Sequence, residues 1–273
     1  MKQSRASLAP FIIWTVLFTL IPLLMVLWFA FTDSNGAFTL ANWGELVPHL
    51  STIGYSAKLG GAATVICLVL AYPFAYSLSR KTAKVQQVMI MIIMLPMWMN
   101  FLLRTYAWMS IIENNGFINQ ILGAIGIGPV RMINTGGAVV LGMVYNYLPF
   151  MVLPLYSIMS KIDNRVIEAA HDLGGGAAQT LFRVILPLSL PGILSGITMV
   201  FVPALSTIVI TKLLGGSLKQ MVGDTIETMF IGQAADYNVG SALSLVLMIL
   251  ILISIGIMGK VDKSDDEDGG LYI

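Results

Sequence analysis

Charged residues are scarce in this sequence. Asp, Glu, Lys and Arg make up 11% of the 273 residues, whereas hydrophobic residues make up 57%. A soluble domain carries about 25% charged residues, so the deficit excludes a water-soluble globular fold as the main architecture. The long apolar runs have to satisfy their own backbone hydrogen bonds inside a bilayer, and the sequence therefore predicts membrane-spanning α-helices.

Cysteine is almost absent, because Cys67 is the single one in the chain. An intramolecular disulfide is therefore excluded, and the redox compartment stays undetermined. Cys67 falls inside an apolar run, where a small thiol most often serves as a buried packing residue.

Residue patterns that carry out catalysis are also lacking. The adjacent His171 and Asp172 could suggest a metal-dependent hydrolase. The other histidine, His49, is predicted to lie on the opposite face of the membrane, so it could not join them in a metal site. The H-E-x-x-H and G-x-S-x-G patterns are missing. Residues 174–176 are glycines, but no lysine follows them as in a phosphate-binding loop. We therefore expect no metal site, no enzymatic activity and no cofactor in this chain.

The apolar runs predict an all-α integral membrane protein with six spans of roughly 20 residues each. A short segment, residues 1–9, precedes the first span, which we interpret as a retained anchor because its apolar run exceeds that of a signal peptide. An acidic tail, residues 260–273, has too few apolar residues to pack, and we expect it to be solvated and mobile. The predicted spans are residues 10–31, 58–79, 86–108, 137–159, 192–211 and 240–259.

Basic residues predict the orientation of these spans, because positive loops are retained in the cytoplasm. An even number of spans places both termini on one side. That side carries Lys2, Arg5, Arg80, Lys81, Lys84, Lys161, Arg165, Arg183, Lys260 and Lys263. The opposite side includes Arg104 and is the more acidic face. Both termini and the loop 160–191 are therefore predicted to be cytoplasmic.

The loop 160–191 has the pattern of a short helix-turn-helix. Asp163 or Asn164 can cap a helix that Gly174 ends. A second helix follows, and we expect Pro187 to end it, with Leu186 displaced from helical geometry. On the other side of the membrane, an apolar pattern after Gly116 predicts a short interfacial helix within residues 109–136.

The same loop resembles a known signature. Glu168-Ala169-Ala170, Gly174, Val184 and Leu186-Pro187 match the E-A-A-x3-G-x9-I-x-L-P pattern of permeases of ATP-binding-cassette (ABC) importers, with valine in place of isoleucine. The resemblance implies the type I, MetI-like permease fold. It also implies that the loop docks on a cytoplasmic ATPase, with Ala169 and Ala170 packed in a groove, Glu168 making polar contacts and Gly174 forming the bend.

Further stretches resemble the spermidine/putrescine branch of this family, and in particular the first of its two paired permeases. These stretches are "LPMWMNFLLRTYAW", "NGFINQILGAIGIG" and "YLPFMVLPLYSIMSKID". The likeness weakens at Lys212, where a polar or acidic residue or a proline is usual. It implies a second homologous permease, two ATPase subunits that bind ATP and Mg, and an extracytoplasmic polyamine-binding protein. Lipid is the remaining partner, and nucleic acid is not expected.

A polyamine has to cross the membrane as a cation, at a cost of roughly 2.5–3.5 kcal/mol per charge at the bilayer centre. Aromatic faces and polar acceptors reduce that cost. Interface anchoring and helix–helix hydrogen bonds are the more common uses of such residues, and an outer carboxylate is more often a solvated loop charge. The candidate path residues are Trp98, Asn100, Tyr106, Tyr145, Asn146, Tyr147, Asp224 and Glu227.

Three alternatives remain beside this interpretation. A secondary transporter usually carries ionisable residues deep in its spans, and the predicted span centres have none. A membrane enzyme has only His171 and Asp172 in its favour. A permease of the same architecture for another solute, such as a cationic amino acid, an anion or a metal, is harder to separate by sequence.

Overall fold

The computed structural model describes residues 4–216, 219–232 and 235–269, and the side chains of residues 10–257 and 259 within those ranges. Lys2 lies outside the described residues, as do the side chains of Arg5, Lys260 and Lys263. The described chain is helical, without a strand, and one isolated antiparallel bridge joins Thr32 and Phe38. The all-α fold that the sequence predicts is confirmed.

The first half of the chain contains three long helical stretches joined by short turns. Its α-helices are α1 (Ser4–Thr15), α2 (Ile21–Ala30), α3 (Ala41–Gly44), α4 (Leu50–Ser79), α5 (Ala83–Met94), α6 (Phe101–Ile112) and α7 (Phe117–Ala124). A π-helical turn, Val16–Leu20, joins α1 to α2, and 3-10 turns occur at Val47–His49 and Leu95–Trp98. The short helix predicted after Gly116 is confirmed as α7.

The second half holds the loop with the signature and the last spans. Its α-helices are α8 (Gly136–Met159), α9 (Asn164–Asp172), α10 (Ala177–Thr180), α11 (Leu186–Leu188), α12 (Leu190–Leu205), α13 (Val222–Ile231) and α14 (Tyr237–Gly269). Two π-helical turns, Leu181–Ile185 and Thr211–Gly215, interrupt the α-helical geometry.

Four helical segments of the described chain are long and apolar enough to cross a bilayer unbroken: 10–30, 41–79, 136–159 and 237–257. Two further crossings arise if each of two bent pairs forms one span. These pairs are 83–98 with 101–124, bent by 89°, and 177–188 with 190–205, bent by 67°. The described helices therefore accommodate six spans if each bent pair crosses the bilayer as one span.

The predicted third span, 86–108, is wrong as a continuous helix. Pro96 lacks the amide hydrogen that a helix needs, and Met99 has an extended backbone. Asn100 then caps α6, since its side chain accepts a hydrogen bond from the Leu102 amide at 2.8 Å. The predicted fifth span, 192–211, also differs, because α12 begins at Leu190 and ends at Leu205.

The centre of the fold is the contact between α4 and α8. Small residues recur every four positions along α4 and have no exposed surface: Ala63, Cys67, Ala71 and Ala75. Larger side chains recur at the same interval on α8: Met143, Tyr147, Met151, Leu155 and Met159. Small residues allow close approach of helices in a membrane, where dispersion contacts replace the hydrophobic effect. The packing role predicted for Cys67 is confirmed.

The structure adds detail to two features of the sequence, the side chain of Arg104 and the acidic tail. Arg104, which the sequence predicts on the outer face, is 8% exposed, and its guanidinium lies 5.9 Å from the Phe101 ring. Its Nε and Nη1 have no hydrogen-bond partner within the described chain. The acidic tail, residues 260–273, is predicted to be solvated and mobile, and its backbone continues α14 as a helix to Gly269.

We predict that Gly223→Ala destabilises the protein by about 1–3 kcal/mol. A Cβ at Gly223 would lie 2.7 Å from the Ser206 carbonyl oxygen, and a backbone atom cannot move aside cheaply. Gly60→Ala is the matched control, because its Cβ would meet Ala204 Cβ at an ordinary 3.5 Å. The measurement is the thermal unfolding midpoint in detergent. Equal midpoints for the two variants would contradict this packing.

Candidate functional site

Helix α9 carries the first part of the signature on an exposed surface. Its N-terminus is capped by Asp163, whose carboxylate accepts a hydrogen bond from the Arg165 amide at 3.0 Å. Glu168 and Ala169 are exposed on this helix, and Ala170 is half-buried. The cap and the helix that the sequence predicts are confirmed, and Glu168 is free of any ion pair within the described chain.

The glycine run ends α9 in a Schellman motif. The Gly175 amide donates to the Ala170 carbonyl at 3.0 Å, and the Gly174 amide donates to the His171 carbonyl at 2.9 Å. Gly174 has a φ of +80°, a conformation that costs other residues about 1–2 kcal/mol. A Cβ at Gly175 would lie 2.6 Å from the Ala170 oxygen. Two of the three consecutive glycines are therefore required by backbone geometry.

His171 contributes to the same turn. Its Nδ1 lies 2.9 Å from the Gly175 carbonyl oxygen, a contact that requires the imidazole to donate from that nitrogen. Within the described residues, no three His, Cys, Asp or Glu side chains come together as a metal site would require. The arrangement of His171 is explained by the turn.

The second half of the signature differs from the expectation. Pro187 was expected to end the helix after Gly176 and to displace Leu186, but the helical segment 177–188 continues through both residues. Leu186 has φ −60° and ψ −49°, which are helical values. Pro187 lies in the first turn of α11, directly after the π-helical turn Leu181–Ile185, and a first-turn position tolerates a residue without an amide hydrogen. The chain bends at Ser189 instead.

A contact that sequence reasoning missed holds this bend. Ser189 has no exposed surface, and its hydroxyl lies 3.0 Å from the Tyr72 hydroxyl on α4. The Ser189 hydroxyl also donates to the Leu186 carbonyl at 3.0 Å. A serine between two prolines gives no signal of such pairing in the sequence, since Tyr72 is more than 100 residues away in the chain.

Apolar side chains at the tip of the loop face outward. Leu173 is 91% exposed, Phe182 is 63% exposed and Val166 is 43% exposed. Val184 and Leu186 are half-buried, and Pro187 is exposed. An apolar tip of this kind, next to a free carboxylate, is typical of a protein-binding surface.

The candidate path residues on the third and fourth spans have separate environments. Trp98 is 77% exposed and Tyr106 is 46% exposed, whereas Tyr147 is 9% exposed. The Tyr145 ring packs edge-on against Trp108, with centroids 5.3 Å apart. Asn146 is buried and donates to the Gly142 carbonyl at 2.9 Å. The Oδ1 of Asn146 has no partner among the described residues.

The two candidate carboxylates lie together on α13 but differ in their surroundings. Glu227 forms an ion pair with Lys212, with Nζ to Oε2 at 2.6 Å. Asp224 is 2% exposed and accepts a hydrogen bond from the Met221 amide at 3.0 Å. Burial raises the pKa of Asp224 to about 6, while the Met221 amide and Lys212 lower it. Sequence reasoning missed the pairing of Lys212 with Glu227.

A cavity of about 540 Å³ adjoins this pair. Glu227 lines it together with Ser206 and Ser244, and the rest of the wall is mainly aliphatic. The cavity lies between the end of α12, helix α13 and the first half of α14. It combines an apolar wall with a carboxylate, as a methylene chain that carries an ammonium group would require.

Comparison with known proteins identifies the class. Residues 2–264 match the family model described as the binding-protein-dependent transport system inner membrane component. The chain therefore belongs to this family of transport permeases, which are components of the inner membrane. Its several apolar helices agree with a multi-pass membrane protein.

Two curated relatives are similar over most of their length. The chain is 37% identical to the spermidine/putrescine transport system permease protein PotB of Haemophilus influenzae, over 96% of this chain and 95% of the relative. It is 36% identical to the protein of the same name from Escherichia coli K12, over 87% of this chain and 90% of the relative.

Solved structures share the fold at lower sequence identity. A bacterial ABC transporter that imports the acidic polysaccharide alginate has a chain with a TM-score of 0.76 and 17% identity, covering 95% of this chain and 94% of that chain. A bacterial alginate ABC transporter in complex with an alginate pentasaccharide-bound periplasmic protein gives a TM-score of 0.77 at 15% identity, covering 93% of this chain and 91% of that chain. The ABC importer permease fold that the sequence predicts is confirmed.

We predict that Asp224 makes the stability of the protein depend on pH. Its pKa is about 6 in the folded protein and 3.8 for the free side chain, so the folded state binds more protons between these values. The contribution is fully present below pH 4 and is lost as the pH rises through 6. Relative to Asp224→Asn, the wild-type unfolding midpoint should gain about 2–4 °C between pH 7 and pH 5. Parallel pH profiles for the two proteins would refute the shift.

Proposed function

We propose that this chain is a permease subunit of an ABC importer that carries the polyamines spermidine or putrescine across the cytoplasmic membrane. The observation that carries the proposal is the 37% identity to a permease with that named substrate, over nearly the full length of both chains. Another solute in the same architecture is the alternative, and no observation on this chain favours it.

The proposed complex contains a second homologous permease, two ATPase subunits and an extracytoplasmic polyamine-binding protein. The sequence has no phosphate-binding loop, so ATP and Mg are bound by the ATPase partners and this chain performs no hydrolysis. A periplasmic protein accompanies the solved alginate transporter with the same fold. Such a protein would deliver the substrate on the outer side, and both termini and the loop 160–191 would lie in the cytoplasm.

In this proposal the loop 160–191 couples ATP hydrolysis to transport. Ala169 and Ala170 allow close approach of the ATPase groove, and Glu168 makes polar contacts with it. The exposed Leu173 supports this role, because a leucine that is 91% exposed lacks an apolar partner in its own chain. Gly174 fixes the bend, while Val184, Leu186 and Pro187 form the return to the membrane.

The substrate path is proposed to use aromatic faces and polar acceptors. Trp98, Tyr106, Tyr145 and Tyr147 would contact the cation through their rings, and Asn100 and Asn146 through their side-chain oxygens. Asn100 already caps α6, which limits it to one free lone pair. Asp224 and Glu227 would attract the polyamine at the outer side. Because Lys212 neutralises Glu227, the substrate has to compete with this lysine.

We predict ATP-dependent uptake of spermidine or putrescine by vesicles that contain the assembled complex. Labelled polyamine should accumulate with ATP and the binding protein present, and it should not accumulate with a non-hydrolysable analogue. Saturable uptake of an unrelated solute, without competition by polyamines, would reject the substrate assignment.

We predict that Glu168→Lys and Gly174→Pro uncouple ATP hydrolysis from uptake. Charge reversal at a protein interface costs several kcal/mol, so uptake should fall at least ten-fold with Glu168→Lys. Proline cannot adopt the φ of +80° at Gly174. The control is Gly176→Ala, at a φ of −71° with nothing within 4 Å of the added Cβ. Uptake and ATPase rates are measured at equal membrane levels, and unchanged uptake in both variants would show that the loop does not couple.

A further inference from the structure

Arg80 joins three parts of the structure at the cytoplasmic end of α4. Its Nη1 donates to the Ile162 carbonyl at 3.0 Å and to Asn164 Oδ1 at 2.6 Å. Its Nη2 donates to the Met159 carbonyl at 3.1 Å. The guanidinium also lies over the Tyr76 ring, 5.5 Å from the centroid. One side chain therefore connects α4 to the end of α8 and to the first residue of α9.

These contacts need an arginine. The Met159 carbonyl at the end of α8 accepts a 3.3 Å hydrogen bond from the Ile162 amide, and a cation complements the partial negative charge of this helix end. A guanidinium presents several N–H groups in a fixed planar fork, so it can bind two carbonyls and an amide oxygen at once. A lysine has a compact ammonium group and cannot span the same acceptors. Sequence reasoning used Arg80 only as an orientation charge.

The other end of α4 contacts the outer part of the protein. Ser56 is fully buried, and its hydroxyl oxygen accepts a hydrogen bond from the Val222 amide at 2.8 Å. Val222 is the first residue of α13, the helix that carries Asp224 and Glu227. Helix α4 has 30 residues, which corresponds to a length of about 45 Å. The same helix thus holds the cytoplasmic loop at one end and α13 at the other.

We propose that Arg80 is a positioning residue that fixes the loop 160–191 to α4, so that α4 transmits movement of this loop to α13. This inference rests on the proposed coupling function of the loop and does not depend on which solute is carried. The Tyr72–Ser189 contact gives α4 a second attachment to the same loop. Two attachments prevent the loop from rotating about a single point, so its displacement moves the helix.

The test follows α13 directly in the assembled complex. Ile231, at the end of α13, is 80% exposed, whereas Cys67 is fully buried. An environment-sensitive fluorophore on Ile231→Cys should therefore label α13 selectively and report ATP-dependent changes there. With Arg80→Ala, we expect the ATP-induced signal to fall at least two-fold. Polyamine uptake per ATP hydrolysed should fall about ten-fold, as expected for loss of several charge-assisted hydrogen bonds.

Further variants separate positioning from general damage. Arg80→Lys should restore part of the signal, and Asn164→Ala, which removes one acceptor at an exposed position, should reduce it less than Arg80→Ala. Lys84→Ala is the control. Lys84 is exposed in the first turn of α5, and the variant should match the wild type. If the Arg80→Ala complex fails to assemble, the Asn164→Ala complex tests the role of Arg80 in its place.

The outcomes distinguish this inference from the proposed function. Wild-type signal and wild-type uptake per ATP in Arg80→Ala, or in Asn164→Ala where the former fails to assemble, would overturn the role of Arg80. The substrate assignment alone would be overturned if the wild-type complex imports no polyamine while the signal of the labelled Ile231→Cys complex still depends on Arg80.

Discussion

Every backbone amide and carbonyl group of a membrane span has to find a partner within the protein, because the hydrocarbon core offers no water. Continuous helices such as α4 and α8 pair most of their backbone groups internally, although Pro73, Pro149 and Pro154 each lack an amide hydrogen. Wherever the chain leaves helical geometry, a specific residue takes over the freed groups. Asn100 caps α6 after the break at Pro96, and Ser189 bonds Leu186 at the bend before α12. The glycine turn pairs the last carbonyls of α9 with its own amides.

The loop 160–191 is likewise held in place by specific hydrogen bonds. At the end of α8, the Arg80 guanidinium binds the Met159 carbonyl, which also accepts from the Ile162 amide, and it binds the Ile162 carbonyl of the following turn. The loop is thereby held close to α4 at its beginning, and Tyr72 holds it again at Ser189. Between these two points the loop exposes Leu173 and Glu168, which have no partner in the described part of this chain. A rigid base with an unpaired apolar tip suits docking on another subunit.

Helix α4, to which the loop 160–191 is attached, packs closely on α8. Small residues on α4 meet methionine, tyrosine and leucine on α8 at matched intervals of one turn, so the two helices approach closely along their whole contact. Interiors packed at this density shift as units and do not deform continuously. Movement applied at the Arg80 end of α4 therefore has a direct route to the Ser56–Val222 hydrogen bond at its other end.

Local signals in the sequence carried much of this architecture. Apolar run length predicted the spans, Asp163 and Gly174 predicted the bounds of α9, and the spacing of the signature identified the family. Long-range contacts carried no such signal: the pairings of Arg80, Tyr72 and Lys212 join residues distant in the chain. Proline was the least reliable guide, because Pro96 breaks a predicted span whereas Pro187 lies within the helical segment 177–188, just after a π-helical turn. The environment of each path candidate likewise depends on packing that local patterns do not encode.

The central claim is that the loop 160–191 contacts a cytoplasmic ATPase subunit. Its most direct test is a photo-crosslinking amino acid at Leu173, the 91% exposed tip, in cells that express the whole complex. The account predicts an adduct with the ATPase subunit, and none from the same group placed at Ile231 on the opposite side. An adduct of residue 173 with an extracytoplasmic protein, or no adduct with any subunit of an intact complex, would contradict it.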